Sequence, residues 1–342
     1  MEKPVDHLAR SLPLFAPPPS ALPARPPRSV RLSLTDRCDL ACVYCRPSRR
    51  DGYLKERLGL AEFSRLLSDL LGSGVRRVRF TGGEPLLSPH VLPLIEHAVA
   101  CGAEDIALTT NGTRLRELAW SLRKAGLRRL TVSLDTLEPE RFSTLTRGGR
   151  LPIVLDGLDA ALDVGFEEIK LNTVVLRGQN DHELESITRF AWARGIVPRF
   201  IELMTIGAGA SLPSERHFSA AEIWQRLAPL VCEASPEFEP DRGPARYLTS
   251  REDPRLRLGV ISGHTDTYCE SCDRLRVSSA GHVRACLARP DFVDVRPALQ
   301  LDTPEAVLAA IEHAWSQKPD GRTFRGCTEP SAAEISMRAI GG

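Results

Sequence analysis

From residue 29 onward the chain alternates between two hydrophobic patterns. Short runs of β-branched and apolar residues fall at 30–34, 75–80, 105–109, 129–134, 168–175 and 199–203, which predicts strands. Between them apolar residues recur three and four apart, predicting helices at 60–71, 91–101, 115–125, 153–164 and 182–194. Six strands with helices between them imply parallel strands with crossover helices: an α/β fold, read as an incomplete (β/α)6 barrel of the TIM type. An open, doubly wound sheet of six strands meets the same pattern. Beyond about Gly207 the rhythm changes. Runs at 256–261, 274–278 and 283–287 suit an antiparallel sheet, and a last helix is expected at 304–317. Seven prolines from Pro13 to Pro27 mark an extended lead-in. The expected organisation is a lead-in at 1–28, the barrel at 29–207, and a smaller C-terminal α+β domain at 208–342.

Polar residues collect where each predicted strand stops. Thr35-Asp36-Arg37-Cys38 follows the first and Thr81-Gly82-Gly83-Glu84 the second. Thr109-Thr110-Asn111-Gly112 follows the third, and Ser133-Leu134-Asp135 closes the fourth. Turns favour these residue types anyway, so one such end means little. Four together point to a site at the carboxyl ends of the strands, where parallel α/β folds bind ligands.

Charge narrows the choice of partner. Lys and Arg number 45 against 44 Asp and Glu, so no overall field draws the chain to nucleic acid or an acidic membrane. An anion site must come from a local cluster of Arg and Lys. Hydrophobic residues, 42% of 342, allow a sizeable core. No run approaches the roughly 18 apolar residues of a membrane span, and the start has neither the basic residues nor the apolar run of a secretory signal. The expectation is a cytoplasmic protein with no nucleic-acid or membrane partner. There, nine cysteines read as metal ligands before disulfides.

Cys38, Cys42 and Cys45 form C-x3-C-x2-C directly after the first strand. Three thiolates so close can wrap one side of a four-iron cubane and leave the fourth iron open. A zinc site completed by a distant residue is the alternative, but zinc pairs are usually spaced C-x2-C. Cys269, Cys272 and Cys286 form a second trio, C-x2-C-x13-C, whose spacing suits zinc and iron equally. His264, His282 and Cys327 are the nearest spare ligands. Cys101, Cys232 and Cys327 fall outside both trios and read as buried structural thiols.

The stretch from Cys38 through Tyr44 to Cys45, with Thr81-Gly82-Gly83-Glu84-Pro85, resembles the radical S-adenosylmethionine (SAM) superfamily. Adding Cys269-Glu270-Ser271-Cys272-Asp273-Arg274-Leu275-Arg276, Cys286 and Gly341-Gly342, the chain from about Ser29 to its end is similar to the GTP 3′,8-cyclase family. That resemblance implies the first step of molybdenum cofactor biosynthesis, with two 4Fe-4S clusters of three cysteines each and SAM on the open iron of the first. It implies SAM contacts from Tyr44, Gly83, Glu84, Ser133 and Met204. GTP contacts would come from Arg31, Arg79, Thr109, Lys170, Arg274 and Arg276, with the guanine base on the second cluster. Gly341 and Gly342 would enter the active site as a catalytic tail. An electron donor, product hand-off to cyclic pyranopterin monophosphate synthase and a homodimer fit the same family picture. Asn111 and Asp135 could assist either ligand.

Three features depart from the family pattern: Asp273 where Asn is more usual, Ser88 where Arg is frequent, and the long Pro-rich start. Two other readings compete. A peptide maturase with auxiliary clusters would carry more downstream cysteines and lack the Arg-x-Arg and Gly-Gly features. A zinc-binding adaptor or nucleic-acid module fits poorly with 6% aromatic residues and near-zero net charge.

Overall fold

The structure, a computed structural model, describes residues 11–12, 26–46, 48–50, 52–232, 234, 237–238, 243–265, 268–269, 272–301, 303–319 and 336–340. Most of the Pro-rich lead-in, Cys327 and the Gly341-Gly342 tail lie outside the described residues.

After a two-residue strand β1 (Ser11–Leu12), six strands follow close to the expected places. They are β2 (Ser29–Ser33), β3 (Arg77–Thr81), β4 (Asp105–Thr110), β5 (Arg129–Ser133), β6 (Glu168–Val175) and β7 (Val197–Glu202). Each pairs in parallel with the next in chain order. The crossovers carry α1 (Leu60–Gly72), α2 (Val91–Ala100), α3 (Leu115–Lys124), α4 (Pro139–Thr146), α5 (Leu151–Val164) and α6 (Leu184–Trp192). Of these, α4 was not expected from the sequence. It is short, starts on Pro139 just after a strand end, and stops at Arg147, whose φ of 54° is the only positive value outside glycine among the described residues.

One face of this parallel sheet is apolar and meets the helices. Val30 and Leu32 of β2, Val78 and Phe80 of β3, and Leu130 and Val132 of β5 point that way, all at most 1% exposed. Strand alternation puts Arg31, Arg79, Thr131 and Lys170 on the other face. Helix α1 shows why the outer layer holds: Phe63, Leu66, Leu67 and Leu70 are fully buried at helical spacing. Each such side chain contributes about 1.5–3 kcal/mol by leaving water.

The C-terminal strands do not form a sheet of their own. They are β8 (Glu237–Phe238), β9 (Arg246–Thr249), β10 (Arg257–Ile261), β11 (Arg274–Val277), β12 (His282–Arg284) and β13 (Phe292–Asp294). The order across the whole sheet is β1-β13-β12-β11-β2-β3-β4-β5-β6-β7-β10-β9-β8. Thus β11 joins β2 and β10 joins β7, both in parallel. The expected antiparallel pairing is confined to the outer pairs β9–β10, β8–β9, β11–β12 and β12–β13. Among the described residues four more helices follow: α7 (Ala220–Leu227), α8 (Arg296–Gln300), α9 (Pro304–Ser316) and α10 (Met337–Ile340). Among the described residues no helix is long and apolar enough to cross a membrane.

Candidate functional site at the strand ends

The loop after β2 carries Cys38, Cys42 and Cys45, and its neighbours fix its course. Ala41 N–H donates to Thr146 O (3.1 Å) and Val43 N–H to Leu145 O (3.0 Å), so the loop satisfies carbonyls that the end of α4 leaves open. Asp36, 2% exposed, accepts from Leu54 N and Arg57 Nε, each at 2.7 Å. Tyr44 donates its hydroxyl to Asp135 Oδ2 at 2.7 Å, and Asp135 Oδ1 takes Val174 N–H at 2.9 Å. Burial pushes the Asp135 carboxyl up to about 6.

At the end of β3 the backbone comes hard against this loop. A Cβ on Gly83 would lie 2.3 Å from Arg37 O, which explains glycine there. Glu84, 1% exposed, accepts from Thr110 Oγ1 (2.7 Å), Asn111 N (2.7 Å) and Leu86 N (3.0 Å). Its carboxylate therefore joins the ends of β3 and β4, and burial raises its carboxyl to about 7. Asn111 reaches on from there, donating Nδ2 to Asp39 Oδ1 at 2.8 Å and lying 3.8 Å from Cys38 Sγ. Ser88, the other departure, is buried (5% exposed) and accepts from His90 N–H at 3.3 Å. Ser133 ends β5 opposite Asn172. Met204 follows β7 and abuts Gly263, where a Cβ would meet its sulfur at 2.6 Å.

Among the described residues none of these three cysteines is in a disulfide. Burial first, and the nearby Glu84 charge second, push Cys38 up to about 12, and burial with Asp135 raises Cys42. Thiols in such surroundings become thiolates when a cation is bound among them. The donor set therefore fits a metal centre. Among the described residues, Glu138, His182 and Glu183 bring their ligand atoms within 4.8 Å of one another.

The second trio surrounds the start of β11. Cys272 N–H donates to Cys269 O at 3.2 Å. Cys286 lies beyond β12 and packs with Ile206, Leu287 and Ile340. Burial would raise the Cys272 thiol, but Arg274 and Lys318 outweigh it and bring it below its ordinary value. Of the spare ligands, His282 stacks on Phe292 with centroids 3.9 Å apart and His264 lies edge-on to His217 at 5.2 Å, while Cys327 lies outside the described residues. Asp273 is accounted for as well. Its carboxylate forms an ion pair with Arg77 of β3, and its carbonyl accepts from Arg28 N (3.1 Å) and Ser29 N (3.3 Å). Of the remaining cysteines, Cys101 is half-buried and lies 3.5 Å from both Ser68 Oγ and His97 Nε2. Cys232 corrects the expectation of a buried thiol: it is exposed.

Because β11 runs parallel to β2, the trios stand at opposite ends of that pair, with the length of β2 between them, about 13 Å. A row of cations occupies the interval. Arg276, Arg31 and Arg79 are in register across β11, β2 and β3. Arg274 lies two residues before Arg276 on the same face, and Thr109, Thr131 and Lys170 form the next row across β4, β5 and β6. Burial and the neighbouring Arg276, Arg274 and Arg79 charges hold Arg31 well below its usual range. Burial and Arg199 bring Arg79 down to about 9 and Lys170 to about 7, with Glu168 2.9 Å from the Lys170 ammonium in partial compensation. Arg199 of β7 was missed in the sequence. It is 3% exposed, donates Nε to Asn172 Oδ1 at 2.9 Å and lies 3.3 Å from Thr131 Oγ1. The signal was available in the alternation Val197, Arg199, Ile201, obscured because the strand was expected to begin at Arg199.

A cavity of about 660 Å³ opens at the amino ends of the strands instead. Most of its charges are taken up in pairs such as Arg129–Asp105 and Arg128–Glu167.

Cysteine loop, glycine-bearing β3 end and parallel sheet together define the class: residues 32–191 match the radical SAM superfamily, and residues 196–324 match Molybdenum Cofactor Synthesis C. The fold agrees. SuiB of Streptococcus suis, solved with S-adenosylmethionine, superposes with a TM-score of 0.62 at 15% identity, over 91% of this chain and 72% of that one. More closely, the chain is 39% identical to the GTP 3′,8-cyclase of Marinobacter nauticus, over 86% of this chain and 90% of the relative. It is also 39% identical to GTP 3′,8-cyclase 1 of Pseudomonas aeruginosa (92% and 96%) and 38% identical to the Rhizobium etli GTP 3′,8-cyclase (92% and 91%). The chain belongs to the GTP 3′,8-cyclase family.

Proposed function

We propose that the chain converts GTP to 3′,8-cyclo-7,8-dihydroguanosine 5′-triphosphate, the first step of molybdenum cofactor biosynthesis. The observation that carries this reading is the row Arg276–Arg31–Arg79, with Arg274, Lys170 and Arg199 around it and Arg276, Lys170 and Arg199 buried, lying between two thiol trios. An array of six cations that includes the buried Arg276, Lys170 and Arg199, with Glu168 2.9 Å from the Lys170 ammonium, suits a polyanion such as a triphosphate.

Cys38, Cys42 and Cys45 would hold a 4Fe-4S cluster with SAM on its open iron, and Cys269, Cys272 and Cys286 a second cluster facing the guanine. Bound there, the first cluster and SAM supply the 5′-deoxyadenosyl radical chemistry that removes hydrogen from ribose C3′ so that C3′ bonds to C8. The protein's part is placement. Arg31, Arg79, Lys170, Arg199, Arg274 and Arg276 fix the triphosphate, with Thr109 beside them. Tyr44, Gly83, Glu84, Ser133 and Met204 shape the SAM pocket, Tyr44 oriented through Asp135 and Glu84 acting by holding the β3 and β4 ends together. Anchoring both ends of the nucleotide holds the ribose in one attack geometry.

We read 29–207 as the incomplete (β/α)6 barrel and 208–342 as the second-cluster domain. The catalytic role of Gly341 and Gly342 draws support from Ile340, 2% exposed in a cluster with Met204 and Cys286. An electron donor, the next enzyme of the pathway, a homodimer and a cytoplasmic setting complete the reading.

The reaction is tested with reconstituted protein and GTP deuterated at C3′. Deuterium is expected in 5′-deoxyadenosine; its absence there, with SAM still cleaved, refutes the assignment.

A further inference from the structure

The two trios face opposite electrostatic surroundings. Around the first, the charged neighbours of Cys38 and Cys42 are the carboxylates of Asp39, Glu84 and Asp135. Around the second, a lysine makes direct contact. Lys318, in the turn that ends α9, points its Nζ at Cys272 Sγ at 3.4 Å and donates to Ala285 O at 3.0 Å. The same ammonium lies 4.4 Å from the Trp315 ring centre, and Lys318 N–H donates to Trp315 O at 3.0 Å. Trp315 is 4% exposed and belongs to the main core. A long flexible side chain is thus fixed by a carbonyl, an aromatic face and a sulfur at once. Arg274 and Arg276 lie on the strand that presents the triphosphate-binding row, whereas Lys318 comes from α9 and touches the ligand sulfur itself.

We propose that Lys318 is a positioning residue of the second thiolate trio, donating a charge-assisted hydrogen bond to Cys272 that orients this ligand and raises the reduction potential of the cluster held there. The inference rests on the second cluster of the proposed function. Its physical basis is general. Reduction adds one negative charge to a cluster, and a fixed ammonium beside a ligand sulfur stabilises the reduced form more than the oxidised one. The bond to Ala285 O keeps the ammonium one residue from Cys286, so two of the three ligands feel it.

The test uses full-length protein with Cys38, Cys42 and Cys45 all changed to Ala, which leaves only the second trio to bind iron. The reconstituted protein is assayed for iron and titrated potentiometrically by electron paramagnetic resonance, with and without Lys318→Met, Lys318→Gln or Lys318→Arg. The parent is expected to hold about four irons. Lys318→Met should lower the reduced-to-oxidised ratio at fixed potential about tenfold, a midpoint shift of about 59 mV. Arg should restore most of the shift, and Gln, a donor without charge, should fall between. If Met does not retain iron, the Gln variant carries the comparison. Iron retained with an unchanged midpoint in Met and Gln overturns the role of Lys318 and leaves the second cluster standing. No iron in the parent removes the second cluster and this proposal with it. Weaker GTP binding with an unchanged midpoint would make Lys318 a nucleotide contact, and also overturns it.

Discussion

Lys170 concentrates the electrostatic logic of the site in one residue. Burial and the Arg199 charge hold its ammonium at about 7, far below an ordinary lysine near 10.4. The sign follows directly. Between about 7 and 10.4 the unfolded chain binds more protons at this position than the folded one, so the empty protein gains stability as pH rises through that window. Below about 7 the lysine is charged in both states and the full burial cost remains. A bound triphosphate reverses the preference by supplying the missing counter-charge. GTP binding at pH 8 should therefore take up a proton at Lys170, seen by calorimetry in buffers of different ionisation enthalpy. Lys170→Arg, which stays charged, should abolish that uptake while retaining affinity; Lys170→Met should abolish it and weaken GTP binding about tenfold or more, on the scale of one lost charge-assisted contact. An uptake that survives Lys170→Met would assign the proton elsewhere. At this scale the sequence was informative where a residue type belonged to a motif: the two cysteine trios, Gly83, Arg274 and Arg276. Arg199 escaped because the strand was expected to begin at it, which hid its place in the alternation Val197, Arg199, Ile201. Asn172 and Thr131, its partners, are 27 and 68 residues away.

Elements show where local pattern suffices and where it fails. The apolar alternation of β2 to β7 and the spacing of Phe63, Leu66, Leu67 and Leu70 were legible because strand and helix periods are local properties. The attachment of β11 to β2 was not, since a parallel pairing across more than 200 residues leaves no local trace. Helix α4 was missed for another reason. Pro139 at its start reads as a turn, and its carbonyls find their donors in the cysteine loop about 100 residues earlier. Asp273 belongs to this scale too. It looked like a departure that adds a negative charge near a cluster, yet in the fold it clamps the segment before β11 to β3 through Arg77, with both side chains about four-fifths buried. A double-mutant cycle of Arg77→Met and Asp273→Asn, read by urea unfolding of the apo protein, should return a coupling of about 1 kcal/mol. Zero coupling would make the pair an incidental surface contact.

Across the whole molecule the C-terminal segment closes both sides of the parallel sheet. Strand β11 covers the open edge of β2, and β10 covers that of β7. Five backbone pairs join β2 to β3, and the register of β11 extends four of those rows outward. Removing 208–342 would expose a row of unpaired N–H and C=O groups on β2 and another on β7, and would take the core residues Leu275 and Val277 of β11 away from β2. Exposed, straight edges of this kind recruit other chains. The buried arginines would suffer as well, because Arg31 and Arg276 share their environment across that seam. A fragment ending at residue 207 should aggregate or elute as large oligomers on size exclusion, with fast amide exchange in β2 and β7 and slow exchange in β4 and β5. Supplying residues 208–342 as a second chain should restore a discrete species and protection at both edges together, since each edge is covered by strands from that one segment. A monomeric 1–207 fragment with protected β2 and β7 would show that the parallel core closes its own edges, and would sever the link between C-terminal coverage and the placement of the cation row.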